Sequence, residues 1–285
     1  MNITVFPKKL SGQVTVPPSK SVAHRMVIAA ALSNGVSEIT NLYPSVDILA
    51  TMDCMRALGA KIDFDGDKAV IEGIKDIPES AVLDCCESGS TLRFLIPVAC
   101  ALGVDTKFIG RGRLPQRPIT PYLEEFPKHG VSFEYNNTMP FSTNGKLTGG
   151  KFYVDGGISS QFITGLLFAL PLLEEDSKII LTSHFESKPY VDITLGTLRE
   201  HGCQVEETEN GYFVKGGQHY MPFSGRVDSI RLIAFHDPES SMINVNSSPS
   251  MASRLSSILQ PQLLTWRVIV FTMPGRSAPR AVITR

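Results

Sequence analysis

Three stretches decide how this chain is read: Ser19–Gly35 (SKSVAHRMVIAAALSNG), Ser88–Gly103 (SGSTLRFLIPVACALG) and Ser159–Asp176 (SSQFITGLLFALPLLEED). Each opens on small polar residues and then runs apolar nearly all round, the pattern of a helix buried on every side. Their starts, Ser19, Ser88 and Ser159, recur at a nearly constant interval. A second landmark keeps the same period. A more polar helical pattern ends on a glycine at Gly59, Gly130 and Gly202, and each glycine precedes an alternating, strand-like run. Glycine suits the position just past a helix end, where φ is positive, and the alternation suits a half-buried strand. Each unit therefore reads as apolar helix, strand, polar helix and strand pair, as in Lys61–Phe64 and Ala69–Glu72 around the Asp65-Gly66 turn. Three such units, from Ser19 to Val227, predict one pseudo-threefold α/β domain with the apolar helices in its middle. The units are too large for a solenoid of short repeats.

Composition narrows the function classes. Lys and Arg number 27 against 28 Asp and Glu in 285 residues, for a net charge of -1, and 42% of residues are apolar. That balance excludes disorder, and it excludes a general nucleic-acid binder, whose affinity rests on neutralising phosphates. Five cysteines form no C-x-x-C pair and read as buried reduced thiols, not as a disulfide framework or a zinc site. The N-terminus MNITVFPKKL carries no apolar signal region, and stretches such as Gly165–Leu173 are too short to span a bilayer. A soluble, cytoplasmic chain without a membrane partner is expected. Asp47, Asp155 and Asp192 lack metal-ligand spacing, and neither a Walker A nor a G-x-G-x-x-G sequence occurs, so no metal and no cofactor are expected. Beyond Val227 the character changes: the stretch Asp228–Arg285 holds no Lys, one Gly (Gly275) and ten Ser. An altered or out-of-frame tail is the sharper reading, a variable extension the plainer one.

Candidate chemistry gathers at the helix starts. A helix N-terminus offers unpaired N–H groups and the positive end of a dipole, so it attracts anions. Here the starts are Ser19-Lys20-Ser21, Ser88-Gly89-Ser90 and Ser159-Ser160-Gln161. For any one helix, simple capping by serine suffices. Three in register, with Lys20, Arg25 and Arg93 nearby, favour an anion-binding face. Ser21, Ser159 and Ser160 would supply hydroxyls there, and Gly89 a close approach to backbone. Arg25 and Arg93 lie inside apolar helices, each sixth when counted from Lys20 or Ser88. A buried cation is costly unless paired, so either an acidic side chain or an anionic ligand should meet each. Their shared place suggests a functional or symmetry-derived role. For His24, packing and ligand contact stand level. Gly110–Pro118 (GRGRLPQRP) sets Arg111, Arg113 and Arg117 on a loop able to clamp a small dianion. Ser187-Lys188-Pro189-Tyr190 reads as a turn or as hydroxyls beside a ligand.

Five motifs, in order, resemble the 5-enolpyruvylshikimate-3-phosphate synthase (3-phosphoshikimate 1-carboxyvinyltransferase) family: VPPSKSVAHR (Val16–Arg25), ESGSTLRFL (Glu87–Leu95), GRLPQRPI (Gly112–Ile119), GGISSQF (Gly156–Phe162) and SKPYVD (Ser187–Asp192). The resemblance implies transfer of the enolpyruvyl group of phosphoenolpyruvate to the 5-hydroxyl of shikimate 3-phosphate, releasing phosphate, through a tetrahedral ketal, on the route to chorismate and aromatic amino acids. It implies an inside-out α/β barrel of two similar domains, each of three βαβαββ units. Residues 19–227 would form one complete domain, 1–18 strands of the second, and 228–285 an incomplete or aberrant remnant of it. By motif, Lys20 is the catalytic residue and contacts both substrates. Ser21, Arg25, Ser159, Ser160 and Ser187 hold shikimate 3-phosphate with Tyr190 alongside. Gln161 touches both ligands, Gly89 and Arg117 hold phosphoenolpyruvate, and Arg93 positions. The second domain's proton-shuttling residues have no recognisable motif after Val227, where Asp228, Asp237 and Glu239 stand without context. Glu87 and Ser90 replace the Asn and Thr of many members. A monomer is expected. The alternatives are an inactive domain that only binds shikimate 3-phosphate and, further behind, the sister transferase acting on UDP-N-acetylglucosamine.

Overall fold

The structure, a computed structural model, describes residues 17–185 and 187–227, together with two short strands at 268–271 and 280–283. Residues 19–227 form one compact unit. It runs α1 (Lys20–Ala31), β1 (Val36–Thr40), α2 (Val46–Ala57), β2 (Lys61–Phe64), β3 (Ala69–Glu72), β4 (Ser80–Asp84), α3 (Gly89–Leu102) and β5 (Asp105–Ile109). Then come α4 (Thr120–Glu125), β6 (Ser132–Glu134), β7 (Phe141–Asn144), β8 (Gly150–Val154), α5 (Ser160–Ala169), β9 (Ser177–Leu181), α6 (Lys188–Glu200), β10 (Val205–Thr208), β11 (Gly211–Val214) and β12 (Gly225–Arg226). By itself, β13 (Val268–Phe271) pairs antiparallel with β14 (Arg280–Ile283).

Three four-stranded sheets share one plan: β4-β5-β7-β6, β8-β9-β11-β10 and β12-β1-β3-β2. In each, the first two strands are parallel and the remaining pairs antiparallel. A parallel pair needs a crossover, which α3 and α5 supply for the second and third sheets. The first sheet takes its leading strand from the far end of the unit, with Ile39 opposite Gly225 and Thr40 opposite Arg226. The repeat is thus closed on itself. Among the described residues the sheets stay separate, and none curls into a closed barrel. What is inside-out is the layering: the apolar helices fill the middle.

The sequence dictates these helices locally. Ser19, Ser88 and Ser159 cap α1, α3 and α5, their hydroxyls accepting from the N–H groups of Val22 (3.4 Å), Thr91 (3.2 Å) and Gln161 (3.3 Å). Nine consecutive residues of α1, Ala23–Ala31, are buried, as expected of a helix apolar all round. Gly59, Gly130 and Gly202 adopt φ of 108°, 85° and 80°, so the repeated glycine is required by backbone conformation. Two helices are shorter than their apolar runs. Pro171 lacks an N–H, and α5 tightens into a 3₁₀ turn at Leu170–Leu172. α1 ends at Ala31, with the Ser33 hydroxyl donating to the Ala30 carbonyl at 2.8 Å.

Candidate active site

The first turns of α3 and α5 are joined by hydrogen bonds, and the first turn of α1 is paired with the start of α2. Lys20, half exposed, sits 2.5 Å from the Asp47 carboxylate at the start of α2. Between α3 and α5, the Gln161 amide donates to the Ser90 hydroxyl at 2.9 Å and accepts from Arg93 Nη1 at 2.7 Å. Arg93 also donates from Nη2 to the Pro118 carbonyl (3.1 Å) and lies over the Phe162 ring, 4.8 Å from its centre. Its Nε has no partner among the described residues, and burial draws its pKa below the ordinary guanidinium value. Ser160 is buried beside the cap Ser159.

Arg117 lies directly on Gly89. A Cβ added at Gly89 would meet Arg117 Nη1 at 2.4 Å, so glycine is the residue that admits the guanidinium. Gly89 is the first residue of α3, and a cation there faces the positive end of the helix dipole. That juxtaposition is electrostatically unfavourable until an anion lies between the two. Arg113, Gln116 and Arg117 border an open cavity of about 450 Å³.

Arg25 departs from both expected readings. It is 3% exposed, and neutral groups satisfy it. Nε donates to Thr194 Oγ1 (2.8 Å), Nη1 to the Ser21 carbonyl (2.7 Å), and Nη2 to Thr164 Oγ1 (3.3 Å) and the Tyr190 carbonyl (3.0 Å). The Phe94 ring completes the cage, its centre 5.1 Å from the guanidinium carbon. Burial lowers its pKa to about 10, which leaves it charged at neutral pH. Neither a carboxylate nor a ligand is needed to account for it. The shared place of Arg25 and Arg93 also dissolves. They stand six and five residues after their caps Ser19 and Ser88. One residue turns a side chain by about 100°, and the two reach different neighbours.

His24 packs. It is 1% exposed, bonds Thr51 Oγ1 through Nδ1 at 2.7 Å, and meets Phe94 edge-on. Burial first, then the nearby Lys20 charge, lowers its pKa to about 3, so it is neutral. Arg111 is tied to Asp84 (3.2 Å) and to Cys86 Sγ (3.0 Å), a structural contact. Ser187 and Tyr190 open α6, Tyr190 with its ring half exposed and its carbonyl joined to Arg25. Two residues escaped the sequence reading. Asp47, considered only as a metal ligand, is the partner of Lys20. Tyr122 places its hydroxyl against the carbonyls of Arg93 (2.7 Å) and Phe162 (3.0 Å), linking α3 to α5. A signal for it existed in Pro97, inside α3, which cannot donate to the carbonyl four residues earlier.

Buried helices with serine-capped N-termini, Lys20 at the start of α1 and Arg117 against the start of α3, define an α/β repeat domain. Residues 5–229 match EPSP synthase (3-phosphoshikimate 1-carboxyvinyltransferase), and the chain belongs to that family. It is 46% identical over 237 residues to the 3-phosphoshikimate 1-carboxyvinyltransferase of Clostridium beijerinckii, covering 80% of this chain and 54% of that protein. The protein of the same name from Clostridioides difficile is 46% identical over 240 residues, covering 80% of this chain and 55% of its own. An EPSP synthase from Acinetobacter baumannii shares the fold, with a TM-score of 0.66 at 24% identity over 76% of this chain and 50% of that one. The chain therefore spans about half the length of the curated relatives it matches.

Proposed function

We propose that residues 19–227 bind shikimate 3-phosphate and phosphoenolpyruvate, and that the chain takes part in enolpyruvyl transfer to the 5-hydroxyl with release of phosphate. The observation that carries this reading is the exposed Arg117 guanidinium lying on the first residue of α3, a cation beside a positive helix end. Phosphoenolpyruvate bears phosphate and carboxylate, and either group would relieve that repulsion. In this reading Lys20 contacts both substrates and moves charge at the reacting oxygen. Ser21, Ser159, Ser160 and Ser187 hold shikimate 3-phosphate beside Tyr190, and Arg25 supports them from behind through the Ser21 and Tyr190 carbonyls. Gln161, locked between Ser90 and Arg93, touches both ligands. Residues 1–18 and 228–285 would belong with a second domain. Five free thiols and phosphorylated substrates support a cytoplasmic location, and we expect a monomer.

A second reading is a domain that holds shikimate 3-phosphate without turnover, because the residues after Val227 carry no recognisable proton-shuttling motif. Calorimetry with shikimate 3-phosphate and an assay of phosphate release separate the two. Binding together with turnover supports transfer; binding alone supports the second reading. Lys20→Ala should weaken binding about 10- to 100-fold, the worth of a charge-assisted hydrogen bond. Wild-type protein that binds neither substrate at millimolar concentration would sink both readings.

A further inference from the structure

At one shared register each outer helix carries a buried hydroxyl. Thr51, Tyr122 and Thr194 stand eight residues before Gly59, Gly130 and Gly202, and all three are at most 1% exposed. Thr51 on α2 is 2.7 Å from His24 Nδ1 on α1 and 2.7 Å from Thr91 Oγ1 on α3. Tyr122 on α4 donates to the Arg93 carbonyl on α3, with the Phe162 carbonyl of α5 at 3.0 Å. Thr194 on α6 is 3.0 Å from Thr164 Oγ1 on α5 and accepts from Arg25 Nε on α1 at 2.8 Å. The links run α1 to α3, α3 to α5 and α5 back to α1. They close a ring around the three central helices.

Satisfying a buried polar group would explain any one of these hydroxyls. Tyr122 is the clearest case, since Pro97 leaves the Arg93 carbonyl without its helical donor. Local satisfaction does not explain three hydroxyls at one register, made from two residue types with different partners. Every link also lies one or two hydrogen bonds from a candidate site residue. Thr51 Oγ1 lies 3.1 Å from the carbonyl of Asp47, whose side chain pairs with Lys20, and Thr91 Oγ1 lies 2.7 Å from the hydroxyl of the cap Ser88. Behind Tyr122 stands Arg93, which holds Gln161. Thr194 meets Arg25, which holds the Ser21 carbonyl, and donates to the Tyr190 carbonyl at 3.2 Å.

We infer that Thr51, Tyr122 and Thr194 are positioning residues: the ring holds the first turns of α1, α3 and α5 in register, so that the anion-binding end exists before ligand arrives. Preorganisation of this kind strengthens binding by removing the ordering cost. The ligand's identity rests on the function proposed above; the ring's effect on the helix ends does not.

The test uses the full chain carrying Tyr122→Phe, Thr51→Val or Thr194→Val, changes that remove a hydroxyl and little volume. Hydrogen exchange of first-turn amides on all three central helices is measured beside the dissociation constant of shikimate 3-phosphate. Each variant should speed exchange about tenfold at all three helix starts, including the one its hydroxyl does not touch, and weaken binding about tenfold. In Tyr122→Phe the decisive amides are those of Val22–His24 on α1. If they exchange at the wild-type rate, the hydroxyls are local satisfiers and the proposal fails. Should either valine variant fail to fold, Tyr122→Phe decides alone. Wild-type protein that does not bind shikimate 3-phosphate would sink the ligand assignment, leaving exchange to decide the ring.

Discussion

A histidine buried on an apolar helix resists protonation in the folded chain but not in the unfolded one. For His24 the two values are about 3 and the ordinary 6.5, separated by burial and by the neighbouring Lys20 charge. Above pH 6.5 both states carry it neutral. As pH falls from 6.5 toward 3, the unfolded chain takes up a proton that the folded one refuses, and stability is lost. The slope approaches about 1.4 kcal/mol per pH unit for a single such group. His201, also lowered by burial, adds in the same direction, so the comparison must be with His24→Gln. Urea midpoints between pH 7 and pH 4 should fall more shallowly in the variant, and parallel curves would refute the assignment. At this scale the sequence marked the right side chains but not their partners. Arg25 was recognisable as a cation that needed company. Its company is two threonines, two carbonyls and a ring, from residues up to 169 positions away. Pairings over such separations leave no trace in spacing.

Between α3 and α5 the backbones approach closely at one point. A Cβ on Gly165 would lie 2.3 Å from the Arg93 carbonyl and 2.4 Å from the Tyr122 hydroxyl. Neither atom can yield cheaply, because the first is helix backbone and the second is bonded to it. Gly165→Ala gains helix propensity but must push α3 and α5 apart, and the net loss should be about 1–3 kcal/mol. Thermal or urea unfolding checks it; an unchanged midpoint would mean that the helices slide apart freely. Elements were legible wherever a local cause sets them. The β2–β3 hairpin has the predicted bounds, Lys61–Phe64 and Ala69–Glu72, because its turn is coded by Asp65-Gly66 and Asp65 Oδ1 accepts from the Lys68 N–H at 2.9 Å. Helix starts were legible because serine caps them. β12 was not: two residues paired in parallel with β1 have no periodicity to read.

That short strand governs the whole repeat unit. The second and third sheets each own their leading strand, whereas the first must wait for the chain to pass through all three repeats and return at Gly225-Arg226. The closure is built beyond its two ladder positions. Val227 is fully buried, its N–H donates to the Thr40 carbonyl at 2.9 Å, and its carbonyl accepts from Asn41 Nδ2 at 2.6 Å. The Phe223 N–H donates to the Ser37 hydroxyl at 3.1 Å. The three repeats could be counted in the sequence from Gly59, Gly130 and Gly202. That the first is completed by the end of the third could not, because closure is a long-range pairing. It also makes folding wait on a contact whose partners, Asn41 and Val227, lie at opposite ends of the unit, a slow, non-local step. Two shortened chains isolate its contribution, one ending at residue 227 and one at residue 222. They differ only in Phe223–Val227. Losing the buried Val227, the Phe223 ring packed on His201 and the bonds around them should cost about 4 kcal/mol, a fall in Tm of about 8–15 °C for a unit of this size. Amides of Val36–Thr40 should lose protection in the shorter chain while those of Asp105–Ile109, in a sheet that owns its leading strand, keep it. Equal Tm values and equal protection in the two chains would mean that the first sheet stands without its returning strand, and that the repeat is an open row, not a ring.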